Sequence, residues 1–128
     1  AGAYAKYVTG PFTVGLARTG YQPSETASAV GTKTINYETN MYGLQFAVND
    51  NLTVSYSEEK STKNQGSSLS VVGVRTAGTD IEMDISHIQA AYVIGGATVG
   101  IAIADADNAD YTQGNAMKTT VFSLAMAF

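Results

Sequence analysis

The sequence predicts an all-β fold, an antiparallel transmembrane β-barrel to which this chain supplies about seven strands. Three observations predict it. The segment Met117 to Phe128 alternates with a period of two, putting Phe122, Leu124, Met126 and Phe128 on one face and Val121, Ser123, Ala125 and Ala127 on the other. The other patterned runs follow the same grammar, with large apolar groups on one side only. The links between runs alternate short and long, the habit of barrels with tight turns on one membrane side and longer loops on the other.

The elements follow in order. Ala3 to Val8 leads into the turn Thr9-Gly10-Pro11, and Phe12 to Tyr21 returns with Phe12, Val14 and Leu16 on one face. A polar stretch, Gln22 to Lys33, separates this hairpin from Ile35 to Val48, where Tyr42, Leu44, Phe46 and Val48 oppose Gly43, Gln45 and Ala47. Asn49-Asp50-Asn51 turns the chain, and Leu52, Val54 and Tyr56 alternate with Thr53, Ser55 and Ser57. A long, poorly patterned region, Glu58 to Asp80, comes next. From Ile85 to Ala104 no Asp, Glu, Lys or Arg occurs, a length that would suit a spanning helix. Strict alternation on both sides of Gly95-Gly96 reads instead as a hairpin, glycine supplying the positive φ of a tight turn. The acidic stretch Asp105 to Asn115 precedes the terminal strand.

Composition narrows the class. Only 14% of residues are charged, below the quarter or so of soluble domains, and net charge is −4. Without a basic stripe to meet phosphates, a nucleic-acid partner is not expected. The absence of cysteine is compatible with a bacterial envelope protein. No basic segment followed by an apolar stretch opens the chain, which reads as mature or as a piece of something longer.

Seven strands are an odd count, whereas closed single-chain bacterial barrels use an even number of at least about eight. Lipid offers no water to satisfy an open edge, so these strands are expected to form the C-terminal part of a larger barrel. The alternative is a small eight-stranded barrel using Ser68 to Thr76, at the cost of long loops on both membrane sides.

The run Met41-Tyr42-Gly43-Leu44-Gln45-Phe46-Ala47-Val48-Asn49-Asp50-Asn51-Leu52-Thr53-Val54-Ser55-Tyr56, together with the terminal Phe128, resembles the C-terminal half of Gram-negative general diffusion porins of the alphaproteobacterial type. That resemblance implies a sixteen-stranded barrel, usually a homotrimer in the bacterial outer membrane, passing small polar solutes and ions by passive diffusion. It implies membrane lipid and the barrel-assembly machinery as partners, the latter reading Phe128, with Phe122, Leu124 and Met126, as a terminal signal. It also implies that the remaining strands of the barrel, and the family's constriction loop, lie upstream of Ala1.

On the small-residue face, Thr13, Gln45, Thr53, Ser55, Thr98 and Ser123 are candidate pore-lining groups, since small hydroxylated side chains keep a wall wet and wide. Lys6 joins them if Ala5 and Tyr7 point outward, and would favour anions; the alternative is a lysine at the rim. Arg18 falls on the face of Phe12, Val14 and Leu16, which calls for a bulge, snorkelling or a subunit contact. Glu82 and Asp84 are expected above the apolar band, and Arg75 in solvent. Tyr7, Phe12 and Phe128 beside the short turns, with Tyr21 and Tyr56 nearer the long loops, suit two aromatic girdles. The acidic run Asp105, Asp107, Asp110 has carboxylate spacing for calcium but lacks the glycine and distal glutamate of an EF-hand, so a solvated loop is the default. His87, the single histidine, makes neither a metal site nor a triad. Asn51-Leu52-Thr53 matches a glycosylation sequon without consequence in a periplasm. No cofactor is expected, and no catalytic motif supports an enzyme. The rivals are a non-conducting barrel acting through its outer loops as anchor, adhesin or receptor, and a soluble β-sandwich.

Overall fold

A computed structural model describes residues 1–24, 33–69 and 72–126. Its strands are β1 (Gly2–Thr9), β2 (Phe12–Tyr21), β3 (Thr34–Ala47), β4 (Leu52–Gln65), β5 (Ser68–Leu69), β6 (Arg75–Thr76), β7 (Ile81–Ile94), β8 (Ala97–Asp107) and β9 (Met117–Met126). Seven of these lie side by side in one antiparallel sheet, ordered β1-β2-β3-β4-β7-β8-β9. Among the described residues there is no α-helix, only a short 3₁₀ turn at Ala109–Tyr111.

Each short connection has a local cause. Gly10 and Gly95 turn β1 into β2 and β7 into β8 with φ of +55° and +58°, a region open to glycine at little steric cost. Between β3 and β4, the Asn49 side-chain oxygen accepts from the backbone N–H groups of Asn51 and Leu52, both at 2.9 Å, closing an Asx turn. Every strand of the meander reverses direction, so these three turns share one rim and the long connections the other. The uncharged run from Ile85 to Ala104 is thus a strand hairpin, paired from Ile94 opposite Ala97 to Asp84 opposite Asp107.

The strands run further than the apolar pattern suggests. The stretch after Glu58 continues β4 to Gln65, because β3 provides a ladder partner from Ala47 opposite Thr53 to Thr34 opposite Gln65, with one bulge at Ile35. Polar residues occupy both faces there, which hides the alternation without weakening the hydrogen bonds. Likewise Asp105 and Asp107 end β8 instead of opening a loop. The candidate eighth strand, Ser68 to Thr76, does not join the main sheet. Ser68–Leu69 and Arg75–Thr76 pair with each other as a separate two-stranded ribbon, while residues 70 and 71 lie outside the described residues.

Cross-strand partners share a face, so the registers sort every side chain. One face carries Phe12, Val14 and Leu16, then Phe46, Leu44 and Tyr42, and ends with Ile101, Val99, Phe122 and Leu124. Nothing among the described residues covers it: Leu16, Ile88, Phe122 and Leu124 are all more than half exposed. Among the described residues only Ala109, Thr34 and Ser61 are buried. The accessible surface is 8965 Å², against about 6,500 Å² for a compact monomer of 13.4 kDa. Among the described residues the main sheet has no second layer packed on it, which fits the excess.

Candidate functional site

The opposite face is built from small and polar residues in successive cross-strand rows. Lys6, Gly15, Gly43, Ser57 and His87 form one row. Thr13, Gln45, Ser55 and Gln89 form the next, towards the short turns. Thr53 lies beyond them, and on the far side of the sheet Gly100 pairs with Ser123 and Thr98 with Ala125. All seven candidate wall residues, Lys6, Thr13, Gln45, Thr53, Ser55, Thr98 and Ser123, therefore share one side.

That side is hollow. A trough of about 650 Å³ crosses β1 to β7, bordered by Lys6, Gly15, Gly43, Gln45, Ser57 and His87. A second depression of about 320 Å³ continues it to β9, past Gln89, Gly100 and Ser123. At Gly15 an added Cβ would meet nothing within 4 Å, whereas at Gly100 it would come 2.5 Å from the Ser123 hydroxyl oxygen. The floor is therefore open at Gly15 and already filled at Gly100.

Charge is divided unequally between the faces. The main sheet puts Lys6, Lys63 and Glu59 on the concave side, with His87 beside them. Its convex side carries Arg18, Lys60 and Lys118 against Glu38, Glu58, Glu82, Asp84, Asp105 and Asp107. The net negative charge of the chain thus stands mostly on the convex face, while the hollow one is slightly cationic.

Those convex charges begin where the apolar zone stops. Lys60 bridges Asp84 at 3.0 Å and Glu58 at 3.4 Å, and Lys118 pairs with Asp105 at 3.2 Å. Tyr56 sits at the boundary and donates its hydroxyl to Glu58 at 2.9 Å. Arg18 requires no bulge: its register is continuous with Ala3 and Asn40, and its guanidinium meets Glu38 at 3.3 Å. Near the short turns Phe12 stacks on Phe46 with ring centroids 4.7 Å apart. Tyr21 departs from the girdle expected of it. It pairs with Tyr37 on the concave side, the two rings 6.3 Å apart. Of the terminal apolar set, Phe122, Leu124 and Met126 lie on the convex face opposite Ile101, Val99 and Ala97, and Phe128 lies outside the described residues.

The acidic loop after β8 is not a plain solvated loop. Residues 108–115 turn over the concave face, and the Tyr111 hydroxyl lies 2.6 Å from Ser61 Oγ, which in turn lies 2.8 Å from Thr39 Oγ1. The Tyr111 ring also rests 5.3 Å from that of Tyr37. Asn108 anchors the segment by donating to the Glu82 carbonyl, and its own side-chain oxygen accepts from the Gly114 N–H. Asn108, Asp110 and Tyr111 all take φ near +50°, a strained state for residues with a Cβ that persists only where the surroundings dictate it. A sequence signal for this packing exists in Ile81, Met83 and Ile85, three successive apolar residues on a face that also carries Met41, Tyr37 and Val121 but is richest in small and polar side chains.

Among the described residues no group of three or more His, Cys, Asp or Glu side chains is placed to hold a metal ion. Asp105 pairs with Lys118 at 3.2 Å on the convex face. No protein-family model, curated protein or solved structure matches the chain.

Proposed function

We propose that this sheet is part of the wall of an outer-membrane diffusion pore, with the convex face against lipid and the concave face lining water. The observation that carries the reading is the division of one unlayered sheet into a hollow polar face and an uncovered apolar one. An apolar band of that extent needs an apolar neighbour, and lipid is the neighbour a single curved sheet can use without a second layer. The face that is left holds glycine, serine, threonine and glutamine, side chains that hydrate a channel instead of packing a core.

In such a pore solutes pass down their gradient, sorted by the width of the lumen and weakly by the charge on its wall. With seven strands the outer edges of β1 and β9 run parallel, so antiparallel closure requires further strands. We take these from the same barrel, in keeping with the porin-like texture of β3 and β4, and expect a homotrimer inserted by the barrel-assembly machinery. Lys6, Thr13, Gln45, Thr53, Ser55, Thr98 and Ser123 then touch the permeating solution.

Reconstitution of the intact native protein in planar bilayers tests this. Large, ohmic, weakly selective current steps are the expected result. Stable insertion with no current would overturn the pore and leave a non-conducting barrel, and a monomer folded without detergent would overturn the membrane placement as well.

A further inference from the structure

We propose that the segment Asn108 to Asn115 is an internal restriction of the pore, with Tyr111 setting the upper size of the solutes admitted. The inference rests on the pore reading and adds to it a residue that selects by size. A loop joining neighbouring strands β8 and β9 has no topological need to leave their rim. This one crosses β7 and reaches Ser61 on β4 and the Tyr37 ring on β3, a span of about 10–15 Å at ordinary strand spacing. It lies on the hollow face, because Ser61 is paired with Thr39, and Thr39 with Thr19, on the same side as the trough.

The packing beneath it sets it apart from the rest of the sheet. Ser61 is 2% exposed and Ala109 5%, while most side chains of the sheet are open on both faces. Ala109 is held at both ends of the segment: its N–H donates to the Asn115 carbonyl at 2.8 Å, and the Asn115 amide donates to its own carbonyl. The short turn of the segment lies against β7, whose Ile81, Met83 and Ile85 stand on the same face, half-buried. A restriction built this way has two separable parts, the ring that occupies space and the hydroxyl that pins it to Ser61.

Single-channel recording of the intact protein with neutral polyethylene glycols of graded size tests the proposal. Tyr111→Ala should raise conductance roughly twofold and admit larger polymers, since the loss of a ring at a constriction widens it directly. Tyr111→Phe keeps the ring and removes only the tether, so it should show wild-type mean conductance with more open-state noise. Recording the trimer's resistance to heat for both variants separates a widened pore from a misfolded one. A wild-type pore whose conductance and size limit are unchanged by Tyr111→Ala overturns this inference alone. Absence of current in wild type and variants alike overturns the pore reading beneath it.

Discussion

The two faces of this sheet are made by the same strands, residue by residue in alternation, yet they differ in every physical respect. At Val14 and Gly15, adjacent in sequence, one side chain extends an apolar band and the other leaves an open floor. Ile101 and Ala102 repeat the contrast on β8. In a soluble sandwich one face must be buried in protein, and the apolar one here is not. If the two faces meet lipid and water as proposed, neighbouring residues make the sheet testable by paired substitutions, in which one residue of each pair is the control for the other.

The largest difference is expected from charge. Ile101→Arg puts a cation on the convex apolar zone and should cost about 2–4 kcal/mol of stability in vesicles, while Ala102→Arg on the hollow face costs far less. Denaturant unfolding of the membrane-inserted protein measures both. Equal losses at the two positions would abolish the assignment of faces.

Bulk comes next. Gly15→Trp should reduce single-channel conductance severalfold, because nothing within 4 Å opposes a side chain there and its φ is not restricted to glycine. Val14→Trp, pointing the other way, should leave conductance unchanged. An unaltered current in Gly15→Trp would mean that the trough does not carry the ions.

The faces were legible from sequence and the loop was not, for a physical reason. Period-two alternation is a local property, so Lys6, Thr13, Gln45 and Ser55 could be placed on one side before any pairing was known. Tyr21 obeys the same alternation, being odd where Phe12 and Leu16 are even, and so stands on the concave side with Tyr37 instead of in a girdle on the apolar face. Arg18 seemed anomalous because its partner Glu38 is distant in sequence and the register that joins them is a tertiary fact. The inward turn of the β8–β9 loop depends on Ser61 and Tyr37, contacts between segments far apart in the chain. Composition of the stretch Asp105 to Asn115 alone, three aspartates and two asparagines, argues for solvent. Ile81, Met83 and Ile85, three apolar residues in succession on the face rich in small and polar groups, point the other way.

A smaller effect is expected from the wall charges. Lys6→Glu should move the reversal potential in a salt gradient towards cation preference, by reversing the sign at one end of the row that ends in His87. Screening shortens the reach of this charge from about 10 Å at 0.1 M salt to about 3 Å at 1 M, so the shift should fade as salt rises. A shift independent of ionic strength would point to a change of shape instead of charge.

The smallest effect concerns the border of the convex face. Its apolar zone runs from Ala97 to Ile103 on β8, about 20 Å along the strand. A strand that crosses the hydrocarbon usually needs 9–11 residues, so the depth at which lipid gives way to water decides how Arg18 and Glu38 are solvated. Their side chains are 66% and 42% exposed in the isolated sheet. If the border lies at Leu16 and Tyr42, the pair stands in water or headgroups, and a double-mutant cycle with Arg18→Gln and Glu38→Gln should give a coupling of about 0–1 kcal/mol. If the hydrocarbon extends past Arg18, removing either partner strands a charge in a medium of low polarity, and the coupling rises well above that range. A large coupling would therefore move the border outward by one strand row without disturbing which face meets lipid.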